Sequence, residues 1–327
     1  TFDIFLLSVK SLHTLQALNT IQNHMKSSSV VVSLQNGINE EMISKKIGEK
    51  QTIGCVVGWG ATNLGPGYLS QTSEGQFIIG RLDGTVDSQV EQIKSILDQV
   101  TETVITDNIL GHLWSKLLIN CCIATIGVCF AADVKKLVSN QKIVPIMVGL
   151  TEELVKVAEY AEINLEKFED VLDMGLFRIN DFDDFKRAVA IMKLAGRQHK
   201  GVKSSMWQDV EKGRLTEIDY INGYVERKAK ELGISTPINK ALIQLVKDIE
   251  QGKRTPSEEN VDVFYEQVRI PQKWIGYDVE SDSYADLALF NLPDHYKHEQ
   301  LAKVNGLQVV GLLTAFSKAF EKLTNSL

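Results

Sequence analysis

Cysteine is scarce in this sequence, and the few cysteines lack the spacing of a metal site or a disulfide framework. The 327 residues include 4 cysteines, and no two of them form a C-x-x-C pair. Cys121, Cys122 and Cys129 fall in one apolar, helix-like stretch, and the fourth is Cys55. This pattern is typical of buried, reduced thiols in a cytosolic protein. We therefore expect a cytoplasmic protein without disulfides.

An excess of basic charge is also absent. The sequence has 35 Lys and Arg against 42 Asp and Glu, a formal net charge of −7. Nucleic acid or an anionic membrane would favour a basic face, so we expect neither as a partner. Apolar runs of membrane-spanning length are missing as well, because Lys, Asn or Gly interrupts each candidate. The N-terminus has no signal-peptide pattern.

What the sequence does contain is an alternation of apolar strands and helical patterns. Strand-like runs at Asp3–Val9, Ser29–Leu34 and Thr52–Trp59 are separated by helical spacing, including a helix from about Asn39 to Ile47. Near-continuous apolar runs are expected of strands buried on both faces of a sheet. The order of elements predicts an α/β, doubly wound and largely parallel sheet. A hairpin is predicted from Gly65 to Gly80.

The sequence pattern changes twice in the rest of the chain. A helix at about 88–99 and a strand at about 102–106 close the first domain, and helical periods dominate beyond Asp107. From Arg254 the sequence becomes irregular until an amphipathic helix at about Glu299–Leu323, which offers a docking face for a homo-oligomer. We predict three domains. They are the remainder of a dinucleotide-binding domain (1–107), a helical substrate domain (108–253) and a C-terminal extension (254–327).

Polar or glycine-rich turns follow the first three predicted strands. Lys10 comes after the first, Gln35-Asn36-Gly37 after the second, and Gly58–Thr62 after the third. Because parallel strands end at the same edge, these turns are expected to line one ligand cleft. The alternative is ordinary turn chemistry, since Asn-Gly is a common turn dipeptide.

Two further segments carry side chains suited to chemistry. Lys116 and Asn120 share one face of a strongly apolar helix, so Lys116 lies either in a cleft or at a solvated edge. Ser205 and Glu217 lie in a long polar block. Structural explanations exist for both, because Ser205 with Gln208 fits a capping box and Glu217 would suit the first turn of a helix.

Three blocks resemble one family. QNGIN, HLWSKLLIN and SSMWQDVEKGRLTEIDYINGYV, in this order, are similar to signature blocks of the ketopantoate reductases, the 2-dehydropantoate 2-reductases. The resemblance runs from about Phe2 to about Val246. It implies a Rossmann-type domain followed by an all-α domain like that of 6-phosphogluconate dehydrogenase. It also implies reduction of a small 2-oxo acid, with 2-dehydropantoate of pantothenate biosynthesis as the leading substrate.

The resemblance assigns roles in the substrate site. Lys116 matches the family's catalytic lysine, which binds the keto oxygen and acts as general acid. Glu217 matches the glutamate that holds the substrate hydroxyl and orients this lysine. Ser205 matches a serine at the substrate carboxylate, and Asn120 matches a substrate-binding asparagine. A lysine ammonium opposite a developing alkoxide is coherent chemistry for this reaction.

On the cofactor side, Asn36 matches an asparagine between the nicotinamide ribose and the substrate, and Lys10 matches a cofactor-side lysine. The implied cofactor is NADP(H), with NAD(H) left open. The family's G-x-G-x-x-G fingerprint is absent, because Gly58-Trp59-Gly60 continues to Asn63 instead of a third glycine. The chain also begins with Thr at a strand. We therefore expect that the front of the dinucleotide-binding domain is missing and that dinucleotides bind weakly.

Other departures keep alternatives open. Two family asparagines near the substrate correspond to Ala124 and Val202, which leaves the exact 2-oxo acid undecided. One alternative is a non-catalytic fragment or interaction module, and another is a different oxidoreductase on the same scaffold. His295 and His298 lie three residues apart without nearby cysteines, so no metal site is predicted.

Overall fold

The computed structural model describes residues 1–167, 172–198, 203–268, 270–271, 274 and 277. Residues 1–107 contain a five-stranded sheet and a separate two-stranded hairpin. The strands in chain order are β1 (Phe2–Leu7), β2 (Met25–Ser33), β3 (Thr52–Val57), β4 (Gly60–Gly65), β5 (Tyr68–Ser73), β6 (Phe77–Arg81) and β7 (Thr103–Ile105).

The main sheet has the order β1-β2-β3-β6-β7. Pairs β1·β2, β2·β3 and β6·β7 are parallel, as the alternating pattern predicts, but β3 and β6 are antiparallel. The sheet is therefore largely parallel, as predicted, with one antiparallel pair. The connection from β3 to β6 is the β4·β5 hairpin, which carries no crossover helix, and parallel neighbours need such a crossover.

The hairpin itself begins earlier than the sequence suggests. Its two strands pair from Gly60↔Ser73 to Gly65↔Tyr68, and Gly67 in the turn has φ +76°. The predicted start at Gly65 is therefore at the end of the first hairpin strand. The predicted second half belongs to β6, which returns to the main sheet.

Helices α1 (Thr14–Gln22) and α2 (Glu40–Ile47) cover one face of the sheet, and α3 (Ser88–Leu97) covers the other. Alternate residues of β2 pack against different helices, because successive side chains of a strand point to opposite faces of the sheet. Val31 packs with the α1 and α2 layer, whereas Val30 and Val32 pack with the α3 layer. The sheet is thus buried on both faces, as its apolar runs predict.

Helices dominate the chain after β7. They are α4 (Ile109–Phe130), α5 (Val134–Ser139), α6 (Val144–Tyr160), α7 (Phe182–Gln198), α8 (Ser205–Glu211), α9 (Asn222–Glu231), α10 (Pro237–Glu250) and α11 (Asp262–Gln267). The fold class, a sheet with flanking helices followed by a helical domain, is confirmed. The division into three domains stays a prediction.

The helical part is organised around α4. This helix is apolar on all sides and buried along most of its length, as expected of the central helix of a core. By length and composition α4 could cross a membrane, so the expectation that every apolar run is too short is wrong for this helix. Because 78% of its most apolar window is buried in the fold, α4 has the character of a core helix.

Some of the remaining predictions fall on described residues, and others do not. All four cysteines are free and buried. Among the described residues, no group of three or more His, Cys, Asp or Glu side chains could hold a metal. The predicted helix at 299–323, the histidines His295 and His298, and Val202 lie outside the described residues.

Candidate active site

The carboxyl ends of β1, β2 and β3 meet at one edge of the sheet, because these three strands are parallel. Lys10 follows β1, Asn36 follows β2, and Gly58 follows β3 directly. The helical part contributes α4 and the turns between α8 and α9 to this edge. Residues more than 200 positions apart therefore come into contact here.

Lys10 bridges two carboxylates of the helical part. Its Nζ donates to Asp209 Oδ2 at 2.7 Å and to Glu217 Oε2 at 3.1 Å. The lysine side chain is 37% exposed, whereas the two acidic side chains are only 3% and 5% exposed. Desolvation lowers the pKa of Lys10, but the hydrogen bonds and charges of the two carboxylates outweigh it, so the pKa is raised. Lys10 is thus held as a cation.

Glu217 is also tied to the residue after Lys10. Its Oε1 accepts the backbone N–H of Ser11 at 2.8 Å and lies 2.8 Å from the Ser11 hydroxyl. The same hydroxyl lies 3.0 Å from the carbonyl oxygen of Asn36. Lys10, Asn36 and Glu217 are therefore joined in one polar network through Ser11. Glu217 stands in a turn ahead of α9, so the prediction that it opens a helix is wrong; the turns at 212–221 delay α9 to Asn222.

Lys116 reaches the same edge from α4 but makes a different contact. Its Nζ donates to the carbonyl oxygen of Val57, the last residue of β3, at 2.8 Å. Burial lowers the pKa of Lys116 to about 8, although the charges of Glu40 and Glu217 oppose this shift. Lys116 and Glu217 thus interact electrostatically without a direct hydrogen bond in this structure. Their predicted roles in catalysis stay predictions.

Two buried nitrogen donors near these residues have no hydrogen-bond partner among the described residues. They are Nδ2 of Asn120, one helical turn after Lys116, and Nε1 of Trp59, which follows Gly58. A buried donor without a partner is costly and is normally satisfied by water or a ligand. The two donors therefore mark places where a bound molecule could be recognised.

Ser205 is the first residue of α8 and is exposed. The cap of this helix is Ser204, whose Oγ accepts the backbone N–H of Trp207 at 3.2 Å and donates to the carbonyl of Ala124 at 3.1 Å. The predicted capping box of Ser205 and Gln208 is therefore wrong by one residue. Ser205 does not cap the helix. Its role at the substrate carboxylate stays a prediction.

Sequence reasoning missed Ser11, Asp209 and Glu40. Ser11 and Asp209 directly contact the predicted residues, and both are almost fully buried. The available signal for Asp209 was its position in the polar block SSMWQD, four residues after Ser205. Glu40 is fully buried at the start of α2, and the sequence offers no local signal for it.

The groove next to this site is a separate feature. It has a volume of about 470 Å³ and lies between α2 and α9, where Asn39, Met42, Lys45 and Tyr220 are among its lining residues. Lys10, Lys116 and Glu217 do not line it. We therefore place the chemistry at the strand ends and not in this groove.

Comparison with known proteins gives consistent matches along the chain. The family model described as ketopantoate reductase PanE/ApbA matches residues 1–84, and the model of its C-terminal domain matches residues 108–250. The 2-dehydropantoate 2-reductase of Pyrococcus horikoshii is 31% identical over 247 residues, which cover 75% of this chain and 75% of that protein.

Solved structures agree. A PanE/ApbA family ketopantoate reductase from Ralstonia eutropha JMP134 has a TM-score of 0.65 and 25% identity, covering 77% of this chain and 76% of the other. A D-mandelate dehydrogenase in complex with NADH also has a TM-score of 0.65, at 24% identity over 76% of this chain and 80% of the other. At that identity the second likeness shows the fold alone.

Proposed function

Because the chain belongs to the ketopantoate reductase family, we propose that it reduces a small 2-oxo acid to the 2-hydroxy acid with a nicotinamide cofactor. The leading substrate is 2-dehydropantoate, after the names of its relatives. Free and buried thiols agree with a cytoplasmic setting. The observation that carries the proposal is Lys116, a lysine of lowered pKa beside the unpartnered amide of Asn120.

The strand edge fits a nicotinamide and a carboxylate-bearing substrate. Buried donors without partners at Trp59 and Asn120 would be satisfied by ligand oxygens. Lys10 and Asn36 would hold the cofactor side, and Asn120 and Ser205 would bind the substrate. A nicotinamide supplies the hydride when it is bound. We assign no residue to the pyrophosphate, since the sequence contains no G-x-G-x-x-G.

The protein's own contribution is a proton and a counter-charge. As hydride reaches the keto carbon, the carbonyl oxygen gains negative charge, and the ammonium of Lys116 stabilises it and then donates its proton. A pKa of about 8 suits this task, because the lysine is protonated at neutral pH yet gives up its proton readily. In this scheme Lys116 leaves its hydrogen bond to the Val57 carbonyl when a substrate oxygen takes that place.

Glu217 fixes the opposite side of the substrate in this proposal. Its carboxylate is already oriented by two contacts to Ser11 and one to Lys10, and such preorganised acceptors bind a hydroxyl group without further ordering cost. The hydroxyl group of 2-dehydropantoate would donate a hydrogen bond to this carboxylate. A 2-oxo acid without a hydroxyl group would gain less from Glu217.

A second substrate class is favoured by Ala124. This buried residue stands where the family has an asparagine, so the substrate site loses one polar group. A less polar site gives a reason to include 2-oxo acids with apolar side chains among the candidates. Phenylglyoxylate and 2-oxoisovalerate are suitable probes because both lack a side-chain hydroxyl.

The test is a direct assay of the purified chain. NADPH or NADH at up to millimolar concentration is mixed with 2-dehydropantoate, 2-oxoisovalerate or phenylglyoxylate, and cofactor oxidation is followed at 340 nm with the product identified by mass spectrometry. Lys116→Met should reduce turnover about 10²- to 10⁴-fold, while Lys94→Met, in an exposed ion pair with Asp98, should leave it unchanged. Absence of turnover with every combination, together with absence of pantoate binding by NMR, would falsify the proposal.

A further inference from the structure

Ser11 is a buried serine at the boundary between the sheet and the helical part. It begins the 3₁₀ turn Ser11–His13 after β1 and is 1% exposed. Its carbonyl oxygen accepts the hydroxyl group of Thr14 at 2.8 Å, and the Thr14 hydroxyl accepts Nε2 of Gln35 at 2.8 Å. The backbone of Ser11 is therefore fixed by hydrogen bonds from within the sheet part of the chain.

Asn39 determines which way the Ser11 hydroxyl group points. This residue is 2% exposed, and its Nδ2 donates to Ser11 Oγ at 3.1 Å and to the carbonyl oxygen of Asn36 at 2.9 Å. A serine hydroxyl has one hydrogen to donate, and Ser11 Oγ lies 2.8 Å from Oε1 of Glu217 and 3.0 Å from the Asn36 carbonyl oxygen. Because Asn39 already supplies that carbonyl and a carboxylate is the stronger acceptor, the hydrogen points to Glu217.

The two carboxylate oxygens of Glu217 are occupied unequally. Oε1 accepts both the backbone N–H and the hydroxyl group of Ser11, each at 2.8 Å. Oε2 accepts Nζ of Lys10 at 3.1 Å, and no other described residue donates to it. Each carboxylate oxygen has about two acceptor sites. Ser11 therefore fills Oε1, and Oε2 retains one site for a further donor.

We propose that Ser11 is a positioning residue for Glu217: its N–H and hydroxyl groups occupy Oε1, so that Oε2 receives the hydroxyl group of the substrate. The role of Glu217 as acceptor of the substrate hydroxyl rests on the proposed function. Selection of a hydroxylated 2-oxo acid then depends on Ser11, which acts through Glu217. Because one amide group of Asn39 holds both the Ser11 hydroxyl and the Asn36 carbonyl, the arrangement also ties the substrate side of the site to the proposed cofactor side.

Two substrates that differ only in the hydroxyl group distinguish a positioning role from a structural one. They are 2-dehydropantoate and 3,3-dimethyl-2-oxobutanoate, which has hydrogen in place of the hydroxyl group. If Ser11 only stabilised the fold, loss of its hydroxyl would affect the turnover of both substrates alike. A site arranged to accept a substrate hydroxyl discriminates against the analogue that lacks it, so a positioning role predicts that this discrimination decreases.

Ser11→Ala keeps the backbone N–H and removes only the hydroxyl group. The ratio of kcat/KM for 2-dehydropantoate to kcat/KM for the analogue should fall about tenfold, the scale of one hydrogen bond to a charged group. Pantoate binding, measured by NMR without turnover, should weaken by a similar factor. The matched control is Ser29→Ala, which removes a buried hydroxyl group that donates to the carbonyl of Phe2 and should leave the ratio unchanged.

Ser11→Cys covers the case in which Ser11→Ala fails to fold, because a thiol occupies a similar space but is a weak donor. The same fall in the substrate ratio is expected. An unchanged ratio in the variant that folds, or an equal fall in Ser29→Ala, overturns the role of Ser11 and leaves the proposed function standing. Absence of both turnover and pantoate binding in the wild type overturns the proposed function and the role of Ser11 with it.

Discussion

Lys10 and Glu217, which are 207 positions apart in the chain, form an ion pair of 3.1 Å between Nζ and Oε2. The pair joins the end of β1 to the turn ahead of α9, and Asp209 accepts from the same ammonium at 2.7 Å. One lysine thus contacts two buried carboxylates across the boundary between sheet and helices, and Arg214 pairs with the other oxygen of Asp209 at 2.8 Å. We therefore expect this contact to affect both the stability of the protein and its candidate site.

Lys10→Met is expected to destabilise the folded protein. It leaves Asp209 and Glu217 with less compensation, and breaking a fully buried pair costs about 3–5 kcal/mol. Since the Lys10 side chain is 37% exposed, we expect a smaller loss, about 2 kcal/mol, after discounting for solvent. Urea unfolding measures it. Lys26→Met is the control, because its pair with Asp3 is exposed; equal losses in both variants would contradict the prediction.

The pH dependence of the reaction should reveal the ionisation of Lys116. Its pKa of about 8 in the folded chain predicts that kcat/KM is level below that value and falls tenfold per pH unit above it, because the proton donor is lost. In Lys116→Arg this decline should disappear, since arginine stays charged. A wild-type profile that is level up to pH 10 would count against Lys116 as the acid.

The same pKa has an opposite signature in stability. Because the folded value lies below the ordinary value of 10.5, the unfolded chain binds more protons between about pH 8 and 10.5. The contribution of Lys116 to the free energy of unfolding therefore rises with pH in this window. Subtracting the curve of Lys116→Met from that of the wild type should show this rise, and a flat difference would exclude a lowered pKa.

Glu217→Gln should impair both substrate binding and turnover. The amide keeps an acceptor for Ser11 but loses the charge opposite Lys10, and hydrogen bonds to charged groups contribute about 1.5–3 kcal/mol. We expect kcat/KM for the 2-oxo acid to fall about 10- to 100-fold, with cofactor affinity nearly unchanged. Glu250→Gln is the matched control, since Glu250 supports the same turn through Thr216. Identical kinetics in both variants would show that Glu217 only stabilises the loop and does not act on the substrate.

Gly37 follows Asn36 and meets the helical part at close range. Its φ is +84°, and a Cβ atom there would lie 2.8 Å from the carbonyl oxygen of Tyr220. Gly67 has nearly the same φ, +76°, with nothing within 4 Å. Gly67→Ala should therefore cost about 1 kcal/mol from backbone strain, and Gly37→Ala about 1–3 kcal/mol more from the clash. Equal urea-unfolding midpoints for the two variants would contradict this prediction, because they would show that the backbones at Gly37 and Tyr220 move apart at little cost.

The sequence predicts which residues reach the strand edge better than it predicts their contacts. Lys10 and Asn36 follow parallel strands, so their placement depends on local patterns alone. The choice of partner does not, because the hydrogen bond of Lys116 to Val57 depends on how α4 docks on β3. The local pattern likewise could not distinguish Ser204 from Ser205 as the helix cap, since both are serines.

The burial of Glu40 was equally hidden from the sequence. Glu40 and Glu41 are identical neighbours at the start of one helix, and the rotation of α2 against the sheet decides which of them faces the core. The direction of β6 depended on the hairpin before it, which the sequence located too late by several residues. Errors thus arose where two distant segments meet.

The distance along the chain between Ser11 and Glu217, 206 positions, also governs when this site can come into being. A nascent chain can fold its first strands before the helices have left the ribosome, because domains generally fold as units from the N-terminus. During that interval Lys10 has neither of its carboxylate partners, and closing so long a loop is slow. The network around Lys10 can therefore form only after Glu217 has been synthesised, and a chain that stops short of Glu217 lacks it.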